Sequence, residues 1–576
     1  MRFKELALIF NEIEQKSGRL EMTDLVAQIY QKTLPEEAKK ITYFIQGILA
    51  PPYFGINLGM GEKFAVHAIA NSTGYLEKEI EQQYRELGDL GLVAQFFLEK
   101  KKQQALITRE IEASEIYDVM LKIANTSGIG SQDLKIRILS DLLNSASPLE
   151  GKFIIRFVAG QLRLGIGDPT ILDALSVTKI GDKSLRDEIE RAYNLCDNLG
   201  LVAELFLQSS EEIKNFSVKP FVPIRPALAE RLGTPQDIIG KIGECGIEFK
   251  FDGFRMQIHK KGEMVEIYSR NLEKITFMYP EVIQAVRKLK QKEIIFEGEA
   301  LAFNEKKNRF YSFQETMHRR RKYGIEQTAK EYPLYVYIFD IIYVDGIEYL
   351  KLPYEARRRK IEEIFPYGIL NLSKCRIAKN SQEIEEIFNE ALEKGLEGIM
   401  AKDLKAPYVA GARKFAWIKL KKSYGKAIDT IDATIVGYYL GQGARAEFEF
   451  GGLLVAVYNP ERGKFETIAK IGSGYSEEEM KNLKKMLSKI KTKSAPRDLD
   501  YKIKPDFWVT PKYVVEIAFD DITLSPMHCC GLKDKTGYAL RFPRMMKLRK
   551  DKKPKESTTT QEIIDIYQIM RGKIGK

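Results

Sequence analysis

A lysine inside an alternating apolar segment is the first feature of the sequence that could do chemistry. Lys250 lies in Glu248-Phe-Lys-Phe-Asp-Gly-Phe-Arg255, where hydrophobic and charged residues alternate and an Asp-Gly turn follows. Burying an unpaired ammonium is costly, so such a lysine is either paired with an acid or used as a nucleophile. Taken alone, the segment favours the simpler interpretation, a salt bridge from Lys250 to Asp252 at a strand end.

Five further segments place charged side chains where an apolar, strand-like run ends. They are Ser269-Arg270-Asn271, Phe296-Glu297-Gly298-Glu299, Tyr337-Ile338-Phe339-Asp340, Glu397-Gly-Ile-Met-Ala-Lys402 and Trp417-Ile-Lys419-Leu-Lys421. Arg413 stands shortly before the last of them. Each segment alone has a simple structural explanation, but all six in this order indicate one catalytic site assembled from several strands.

The region before these segments is predicted to be all-α. In residues 1–219 apolar residues recur three and four positions apart, as in Leu6, Phe10 and Ile13, and strand signals are scarce. We detect no internal repeat in the sequence. The expectation is a single helical domain of residues 1–219.

Two further domains are predicted from changes in the hydrophobic period. Pro220 and Pro223 end the helical pattern, and residues 220–422 combine strand-like runs with helical segments, which indicates an α+β domain. In residues 423–576 short strands separated by Gly and Asn-Pro turns indicate a small β-barrel, followed by a helix that begins at a capping box on Thr559. The predicted fold class is therefore multidomain, with all-α, α+β and β-barrel parts.

The overall composition favours a polyanionic partner. The 576 residues include 91 Lys and Arg against 80 Asp and Glu, a net charge of +11, and 44% are hydrophobic, which suffices for folded domains and excludes wholesale disorder. No apolar run approaches the length of a membrane-spanning helix, and the N-terminus is charged rather than apolar. We therefore expect a soluble, intracellular protein with no membrane segment.

Cysteine spacing argues against both a zinc site and a disulfide framework. The five cysteines are odd in number, and no two have the Cys-x-x-Cys spacing. His528 beside Cys529 and Cys530 is a weak hint of metal binding, and a local packing role is the favoured interpretation.

The six segments, in their order and spacing, resemble the nucleotidyltransferase superfamily of ATP-dependent DNA ligases and mRNA-capping enzymes, and within it the replicative DNA ligases of archaea and eukaryotes. Lys250-Phe-Asp-Gly-Phe-Arg255 resembles the family's first motif. Segments outside this core also resemble that family, so the resemblance spans essentially the whole chain: Lys152-Phe-Ile-Ile-Arg156, Leu162-Arg-Leu-Gly-Ile-Gly167, Pro223-Ile-Arg-Pro226, Ile522-Thr-Leu-Ser-Pro526 and Leu540-Arg-Phe-Pro-Arg544. Two departures, Phe251 in place of the more usual tyrosine and the Cys529-Cys530 pair, touch no reactive group.

The resemblance implies a DNA ligase that seals single-strand nicks in duplex DNA, joining a 3′-hydroxyl to a 5′-phosphate in replication, repair and recombination. It implies a helical DNA-binding domain, an adenylation domain at residues 220–422 and an OB-fold at residues 423–576. Lys250 would be the nucleophile that carries AMP. An amine with the ordinary pKa of about 10.4 needs help to react at neutral pH, and burial, Lys419, Lys421 and a bound Mg²⁺ would provide it.

The resemblance also implies which side chains hold the nucleotide and the metal. Guanidinium groups suit phosphate and ribose oxygens, because their donors form a fork that matches two acceptors. The expected contacts are Glu248 at the base, Phe339 stacked on the base, Glu299 at the ribose hydroxyl, Arg255, Arg270 and Arg413 at ribose and phosphate oxygens, and Lys419 and Lys421 at the α-phosphate. Glu397 and Glu299 would bind Mg²⁺, or Mn²⁺ in its place, since hard cations prefer oxygen ligands. Whether ADP, NAD or GTP can replace ATP stays open.

Basic residues suggest contacts with DNA, and the resemblance implies contacts of the C-terminal basic residues with the leaving group. The DNA-backbone candidates are Lys152, Arg156 and Arg163, with the turn at Gly165 to Gly167 beside them, and the residues that would orient pyrophosphate are Arg541, Arg544, Arg549 and Lys552. His318-Arg-Arg-Arg-Lys322 is another candidate strip for DNA, whereas Arg357-Arg-Arg-Lys360 equally suits the polar side of a helix. Gln104-Ala-Leu-Ile107 faintly resembles a sliding-clamp tether, and the expected state is a monomer.

Three alternatives fit part of the pattern. A capping guanylyltransferase or an RNA ligase shares the lysine chemistry but does not need the helical region of residues 1–219. An NAD-dependent ligase usually carries a four-cysteine zinc site, which the cysteine spacing here does not encode. A DNA-binding protein with a dead nucleotide pocket would be expected to lack at least one of Lys250, Glu299, Glu397, Lys419 and Lys421.

Overall fold

The computed structural model describes residues 1–16, 18–101, 110–160, 162–304, 309–311, 313–321, 323–365, 368–421, 430–441 and 450–570. It divides into two compact units, Met1–Lys421 and Lys422–Lys576. The first unit is helical at its N-terminal end and rich in strands afterwards, and the second unit is rich in strands. The predicted succession of helical, mixed and β regions is confirmed, while the predicted boundary at residue 219 falls inside the first unit and stays a prediction.

The N-terminal part of the first unit is built from helices. Their bounds are α1 Phe3–Glu14, α2 Arg19–Gln31, α3 Pro35–Gln46, α4 Glu62–Thr73, α5 Glu77–Leu87, α6 Leu90–Glu99, α7 Ala113–Asn125, α8 Ser131–Ser145, α9 Pro148–Val158, α10 Asp168–Ile180, α11 Arg186–Asn194, α12 Leu199–Gln208 and α13 Ser210–Lys214. Helix α9 shows why such segments start where they do. Ser147 and Glu150 form a reciprocal capping box around Pro148 at the first helical position.

Helices α1 to α6 and α7 to α12 are two copies of one arrangement, so the expectation of no internal repeat is wrong. Asp89-Leu-Gly-Leu-Val-Ala94 opens α6 and Asn198-Leu-Gly-Leu-Val-Ala203 opens α12. The first residue of each segment caps its helix, since Asp89 accepts a hydrogen bond from the amide of Gly91 and Asn198 from that of Leu201. Outside these helix starts the two copies share few identical residues, which hides the period in the sequence.

Each copy packs a helix against the other copy. Helix α6 of the first copy packs against α9 of the second, and α12 of the second packs against α3 of the first. Both crossings depend on a glycine, because a Cβ would lie 2.6 Å from the Lys152 carbonyl oxygen at Gly91 and 2.8 Å from the Lys39 carbonyl oxygen at Gly200. The copies meet in one core, where Phe44 of α3 stacks on Phe157 of α9 with ring centroids 4.6 Å apart.

Two sheets and the helices on them form the rest of the first unit. The helices are α14 Pro235–Ile242, α15 Pro280–Arg287, α16 Phe313–Thr316, α17 Ile325–Glu331, α18 Tyr354–Ile364 and α19 Ser381–Glu393. The strands are β1 Leu228–Arg231, β2 Cys245–Lys250, β3 Phe254–Lys261, β4 Met264–Ser269, β5 Glu293–Asn304, β6 Arg309–Phe310, β7 Leu334–Val344, β8 Ile347–Glu348, β9 Leu370–Leu372, β10 Cys375–Ala378, β11 Gly398–Asp403 and β12 Arg413–Lys421.

Strand order decides which ends of these strands meet. One sheet has the order β4-β3-β5-β7-β8, with β6 beside β5 and β9 beside β7, and the other has the order β1-β12-β11-β2-β10. In the second sheet Lys250 of β2 lies opposite Gly398 of β11, which lies opposite Lys421 of β12. The alternation of side chains along these strands therefore carries Lys250 and Lys421 to the same end of the sheet.

The second unit is rich in strands, and its described residues also form two helices. Its strands are β13 Thr430–Tyr439, β14 Gly452–Asn459, β15 Lys464–Ile471, β16 Lys491–Thr492, β17 Leu499–Asp500, β18 Phe507–Val509, β19 Val514–Ala518, β20 Asp521–Ser525, β21 Cys530–Lys533, β22 Thr536–Arg541 and β23 Arg544–Arg549. The helices are α20 Glu477–Ser488 and α21 Thr560–Met570, and the predicted capping box of Thr559 and Glu562 is present at the start of α21.

Among the described helices, none combines the length and the apolar composition that crossing a bilayer demands. The described residues also include no group of three or more His, Cys, Asp and Glu side chains that could hold a metal ion. His528 and the two neighbouring cysteines are buried, and burial lowers the pKa of His528 to about 4.

Candidate active site

Lys250 belongs to a cluster of charged side chains at the end of β2. Its Nζ forms an ion pair with Glu397, the residue immediately before β11, and Lys421 of β12 binds the other oxygen of the same carboxylate. The backbone joins the same two segments, since the Glu397 amide donates to the Lys250 carbonyl at 3.1 Å. The side chains of Lys250 and Glu397 are 23% and 22% exposed, so a ligand can reach them.

The charges of this cluster shift one another's pKa values. Burial lowers the pKa of Lys250, but Glu397 and Glu299 outweigh it and hold that pKa above its ordinary value. Burial also disfavours the charged form of Glu397, yet Lys250 and Lys421 keep its pKa below the usual range. Burial raises the pKa of Glu299 to about 7, because Lys250 and Arg255 offset the burial and the nearby carboxylates only in part.

These shifts bear on how the Lys250 amine could be activated. The expectation is help from burial, from Lys419 and Lys421 and from a bound Mg²⁺, and it stays a prediction. In the structure Lys421 pairs with Glu397, and the surrounding carboxylates hold the pKa of Lys250 above its ordinary value.

The two residues expected to contact the nucleotide base are Glu248 on β2 and Phe339 on β7. Glu248, two residues before the nucleophile candidate on β2, is buried and accepts hydrogen bonds from the Tyr354 hydroxyl and from Lys402 Nζ, the latter at 2.9 Å. Phe339 on β7 is half-buried, edge-on to Trp417 with ring centroids 5.8 Å apart. Neither Tyr354 nor Lys402 was among the predicted site residues.

Arg255, expected at phosphate and ribose oxygens, is held inside the protein. Its Nε lies 3.1 Å from Glu297 Oε1, and its Nη1 donates to the Ala227 carbonyl at 2.8 Å. Tyr408 completes the cluster, with its hydroxyl 2.8 Å from Glu297 Oε2 and 3.1 Å from Arg255 Nη2. The contact of Arg255 with nucleotide stays a prediction, and Glu297 is its partner in the structure.

The other expected nucleotide contacts lie on β12 and just after β4. Arg270 follows β4 and is exposed, and Lys419 is half-buried on β12 opposite Met400 of β11. Arg413 is the first residue of β12, and its side chain lies outside the described residues. The structure brings Lys250, Glu397, Glu299 and Lys421 together, whereas Arg270 stands apart from the ion pairs of that cluster.

The basic residues near the C-terminus are engaged with acids of their own unit. Arg549 and Lys552 converge on Asp432 of β13, with Lys552 Nζ 2.6 Å from Asp432 Oδ2. Arg544 lies 2.8 Å from Asp520, and the guanidinium of Arg541 stands over the ring of Phe542 at 5.1 Å. Their expected role towards pyrophosphate stays a prediction.

Two of the three DNA-backbone candidates are buried in an ion-pair cluster of the helical region. Lys152 is 4% exposed and lies 2.6 Å from Glu14, and Arg156 is 2% exposed and lies 2.7 Å from Asp89. The ion pairs of these two side chains join α1, α9 and the start of α6 in the structure. Their contact with DNA stays a prediction. Arg163, with 45% of its side chain exposed, is the candidate on the surface.

The two basic strips are also largely paired within the protein. Arg319 is buried against Glu281, and Arg320 pairs with Glu273, while Lys322 lies outside the described residues. In the second strip Arg357 is buried on Asp340 at 2.7 Å, which is a structural ion pair rather than a polar helix face. The segment Gln104-Ala-Leu-Ile107 lies outside the described residues.

Three family models match the chain in succession. The model described as DNA ligase N terminus matches residues 2–176, the ATP dependent DNA ligase domain matches residues 226–421, and the ATP dependent DNA ligase C terminal region matches residues 446–552. The second of these matches contains Lys250, Glu299, Glu397 and Lys421.

Similar proteins match over the full length. A probable DNA ligase of Dictyoglomus thermophilum is 45% identical over 575 residues, which covers 99% of this chain and 98% of that protein. A DNA ligase of Staphylothermus marinus is 41% identical over 598 residues and is covered completely. A solved structure titled Pmar-Lig_PreS3 is 16% identical with a TM-score of 0.56, over 94% of this chain and 99% of that one, and supports the fold alone.

Proposed function

The chain belongs to the ATP-dependent DNA ligase family, and from that membership we propose the role of each site residue in an enzyme that seals nicks in DNA with ATP. Lys250 is the nucleophile of this proposal. The observation that carries it is the meeting of Lys250, Glu397 and Lys421 at one end of three neighbouring strands.

The reaction proposed for Lys250 has three displacements at phosphorus. The neutral amine attacks the α-phosphorus of ATP, so a P–N bond forms, the bond to pyrophosphate breaks and the amine proton is released. The 5′-phosphate of a nick then attacks the same phosphorus, which breaks the P–N bond and leaves a DNA-adenylate. Finally the 3′-hydroxyl attacks the 5′-phosphate, and AMP departs as the phosphodiester forms.

Nucleotide contacts are proposed for the side chains around Lys250. Glu248 accepts from the base, Phe339 stacks on it, and Glu299 accepts from the ribose. The cations proposed to contact the ribose and phosphate oxygens are Arg255, Arg270, Arg413, Lys419 and Lys421. Positive charge placed where negative charge builds in the transition state is the largest contribution that such residues make to rate.

Mg²⁺ is proposed to bind between Glu397 and Glu299. The donor set supports a hard cation, because both groups are carboxylates that influence the same lysine. The pKa of Glu299, raised to about 7 by burial, marks a carboxylate whose charge the protein compensates only in part. When bound, the ion would neutralise phosphate oxygens. It would also neutralise the carboxylates of Glu397 and Glu299, whose charge keeps Lys250 protonated.

A DNA-binding role is proposed for the turns of the helical region. Leu164-Gly-Ile-Gly167 precedes α10, and Leu58-Gly-Met-Gly61 precedes α4 at the equivalent place of the other copy. The first glycine of each turn has positive φ, +68° at Gly165 and +63° at Gly59. Backbone amides at such turns and helix starts suit phosphate, and Arg163 adds a charge at one of them.

The remaining proposals concern whole regions. We propose residues 1–219 as the DNA-binding domain, 220–422 as the adenylation domain and 423–576 as an OB-fold, divisions that the successive family matches support. The residues proposed to orient the leaving pyrophosphate are Arg541, Arg544, Arg549 and Lys552. A monomeric state and a sliding-clamp contact through Gln104 to Ile107 complete the proposal.

The test is covalent labelling of the full chain with α-labelled ATP and Mg²⁺, followed by denaturing electrophoresis and a chase with nicked duplex DNA. The expected result is acid-labile label on the wild type that the nicked DNA discharges into a sealed strand. Lys250→Ala should take no label. Lys261→Ala is the matched control, because Lys261 is an exposed lysine on β3 paired with Glu293 at 2.9 Å.

Two outcomes would contradict the proposal. Label on Lys250→Ala equal to that on the wild type would assign the adenylate to another residue. Label that nicked DNA cannot discharge would favour capping or RNA ligation instead.

A further inference from the structure

Lys402 is a buried cation near the proposed base pocket for which the proposed reaction has no use. It lies on β11, its side chain is 1% exposed, and Trp417 of β12 is its neighbour across the sheet. Burying an ammonium group costs several kcal/mol unless its hydrogen bonds and charge are satisfied. The partners that satisfy it are the two residues proposed to hold adenine.

Lys402 joins those two residues across the two sheets. Its Nζ donates to Glu248 Oε1 of β2 at 2.9 Å and to the carbonyl oxygen of Phe339 of β7 at 2.7 Å. One side chain therefore fixes the carboxylate that would accept from the base and the backbone of the ring that would stack on it.

An aromatic cage surrounds the same ammonium group. Nζ lies 4.7 Å from the ring centroids of Tyr354 and Trp417 and 5.2 Å from that of Phe339. The rings replace part of the lost hydration through their negative faces. Tyr354 also donates its hydroxyl to Glu248 Oε1, so two donors hold the same oxygen.

Holding Glu248 in this way has a consequence for the choice of base. With Oε1 engaged by two donors, the second carboxylate oxygen of Glu248 is left to accept a hydrogen bond. The amino group at position 6 of adenine is a donor, whereas hypoxanthine and guanine carry a carbonyl oxygen at that position, which a carboxylate repels.

We propose that Lys402 is a positioning residue that sets selectivity for a 6-aminopurine nucleotide by orienting the Glu248 carboxylate and by fixing the backbone of Phe339. This rests on the proposed contact between Glu248 and the base. Lys402 itself touches no reacting atom, so its loss acts on nucleotide recognition rather than on the chemical step.

The experiment compares ATP with purine riboside triphosphate, which lacks only the 6-amino group, in nick sealing by the full-length protein. In Lys402→Met we expect KM for ATP to rise about tenfold with kcat within about twofold, as for loss of uniform binding through one charge-assisted hydrogen bond. KM for purine riboside triphosphate should change by less than about twofold, because that nucleotide has no amino group for Glu248 to read.

Lys260→Met is the matched control, because Lys260 is also a buried lysine, 4% exposed, and it donates to the Arg287 carbonyl at 3.2 Å. This variant should leave the ratio of the two KM values unchanged. If Lys402→Met does not fold, Lys402→Gln carries the test, since it keeps a donor and removes the charge. The ratio of KM for ATP to KM for purine riboside triphosphate should then rise, as in Lys402→Met.

The outcomes separate this proposal from the one on which it rests. Equal losses with both nucleotides in the Lys402 variants would reduce Lys402 to a structural role and overturn the inference. If Glu248→Gln abolishes the preference for ATP while the Lys402 variants keep it, the inference alone fails. If Glu248→Gln leaves the preference intact, the proposed base contact of Glu248 fails first.

Discussion

Two clusters of buried charge, one in the helical region and one at the end of β2, look alike in the sequence and differ in the structure. The helical cluster joins Lys152 and Arg156 to Glu14 and Asp89, and the pocket cluster joins Lys250 and Lys421 to Glu397. In the helical cluster the two cations are 5% and 3% exposed, whereas Lys250 is 23% exposed.

The difference lies in how completely the carboxylates are matched. Asp89 accepts from both Nε and Nη2 of Arg156, at 3.1 and 2.7 Å, although Arg156 Nη1 is buried without a hydrogen-bond partner. Lys152 adds a contact to Asn11 at 3.1 Å. In the pocket two ammonium groups share one carboxylate, and the pKa of Glu299 stands at about 7. A buried charge by itself therefore indicates packing, and an incompletely matched, reachable charge indicates a site for a ligand.

The largest expected effect is a loss of stability when the helical cluster is disrupted. Arg156→Met should lower the free energy of unfolding by about 3–5 kcal/mol, because it leaves the Asp89 carboxylate buried without its main partner. Urea denaturation at pH 7 measures the change. The rate at which the folded fraction takes up AMP from ATP should stay as in the wild type, since the cluster lies away from Lys250.

Lys183→Met is the control for that comparison. Lys183 also pairs with a buried carboxylate, Asp173 at 2.9 Å, but 41% of its side chain is exposed. Its loss should cost less than about 1 kcal/mol, as for other solvent-screened ion pairs. Equal losses in the two variants would mean that burial of the cation does not distinguish them.

In the pocket cluster, by contrast, a substitution should reduce the rate of reaction rather than mainly the stability. Glu397→Gln should slow AMP transfer to Lys250 by about 10²-fold, the usual effect of removing one charged group from a transition-state site. It should also lower the pKa of Lys250, since Glu397 is the strongest influence that raises it against burial. The measurement is the pH at which Lys250 becomes half-reactive towards an amine reagent, with no ATP or metal present.

Glu293→Gln is the matched control, because it removes a carboxylate from the pair with Lys261 on the exposed end of β5. Neither the rate nor the reactivity of Lys250 should change in this variant. An unchanged reactivity of Lys250 in Glu397→Gln would contradict the coupling between the two side chains.

The residues of the pocket were predictable because the strands carry them at their ends. Alternation within Glu248-Phe-Lys-Phe places Lys250 on β2, and the register with β11 and β12 then brings Gly398 and Lys421 beside it. The partners that lie far away in the sequence could not be predicted from local patterns. Tyr354 is 106 residues from Glu248, and Tyr408 is 111 residues from Glu297.

The acidic partners of the helical cluster also left no local signal. Lys152 and Arg156 form a basic pair in sequence, and their acids Glu14 and Asp89 lie 138 and 67 residues away. The internal repeat was missed, because its two copies share few identical residues outside the starts of α6 and α12 and the Leu-Gly-x-Gly turns before α4 and α10. Local patterns predicted the elements, and contacts across long separations decided what their charges do.

Lowering the pH should change the free energy of unfolding in opposite directions through the two clusters. The pKa of Glu299 in the folded protein, about 7, lies above its ordinary 4.5, so stability falls as pH rises from 4.5 to 7. Glu299→Gln should therefore be more stable than the wild type at pH 8 by about 2 kcal/mol, a value discounted for partial exposure, and equal to it below pH 4.5.

Asp89→Asn tests the other sign. Despite burial, Arg156 keeps the pKa of Asp89 below its ordinary 3.8, so the stability that Asp89 contributes is present above pH 3.8 and is lost as pH falls further. The variant should be less stable than the wild type at pH 7, with the difference shrinking below pH 3.8. Urea denaturation across pH measures both variants, and slopes of the same sign would contradict the comparison.

The smallest expected effect belongs to Arg163, which extends the helical cluster to the surface. Its Nη1 lies 3.4 Å from Asp89 and its Nη2 donates to the Gly88 carbonyl at 3.0 Å, while 45% of the side chain stays exposed. Because it precedes the Gly165 turn proposed to face phosphate, Arg163→Ala should weaken binding to nicked duplex by less than about tenfold and reduce the salt slope by about 1. Arg85→Ala removes the same charge from a side chain of α5 that is 81% exposed and has no part in the turn, and should leave the slope unchanged. Equal slopes for the two variants would mean that any exposed positive charge of the helical region affects DNA binding alike. The contact of Arg163 with the buried helical cluster would then not place its guanidinium at the DNA backbone.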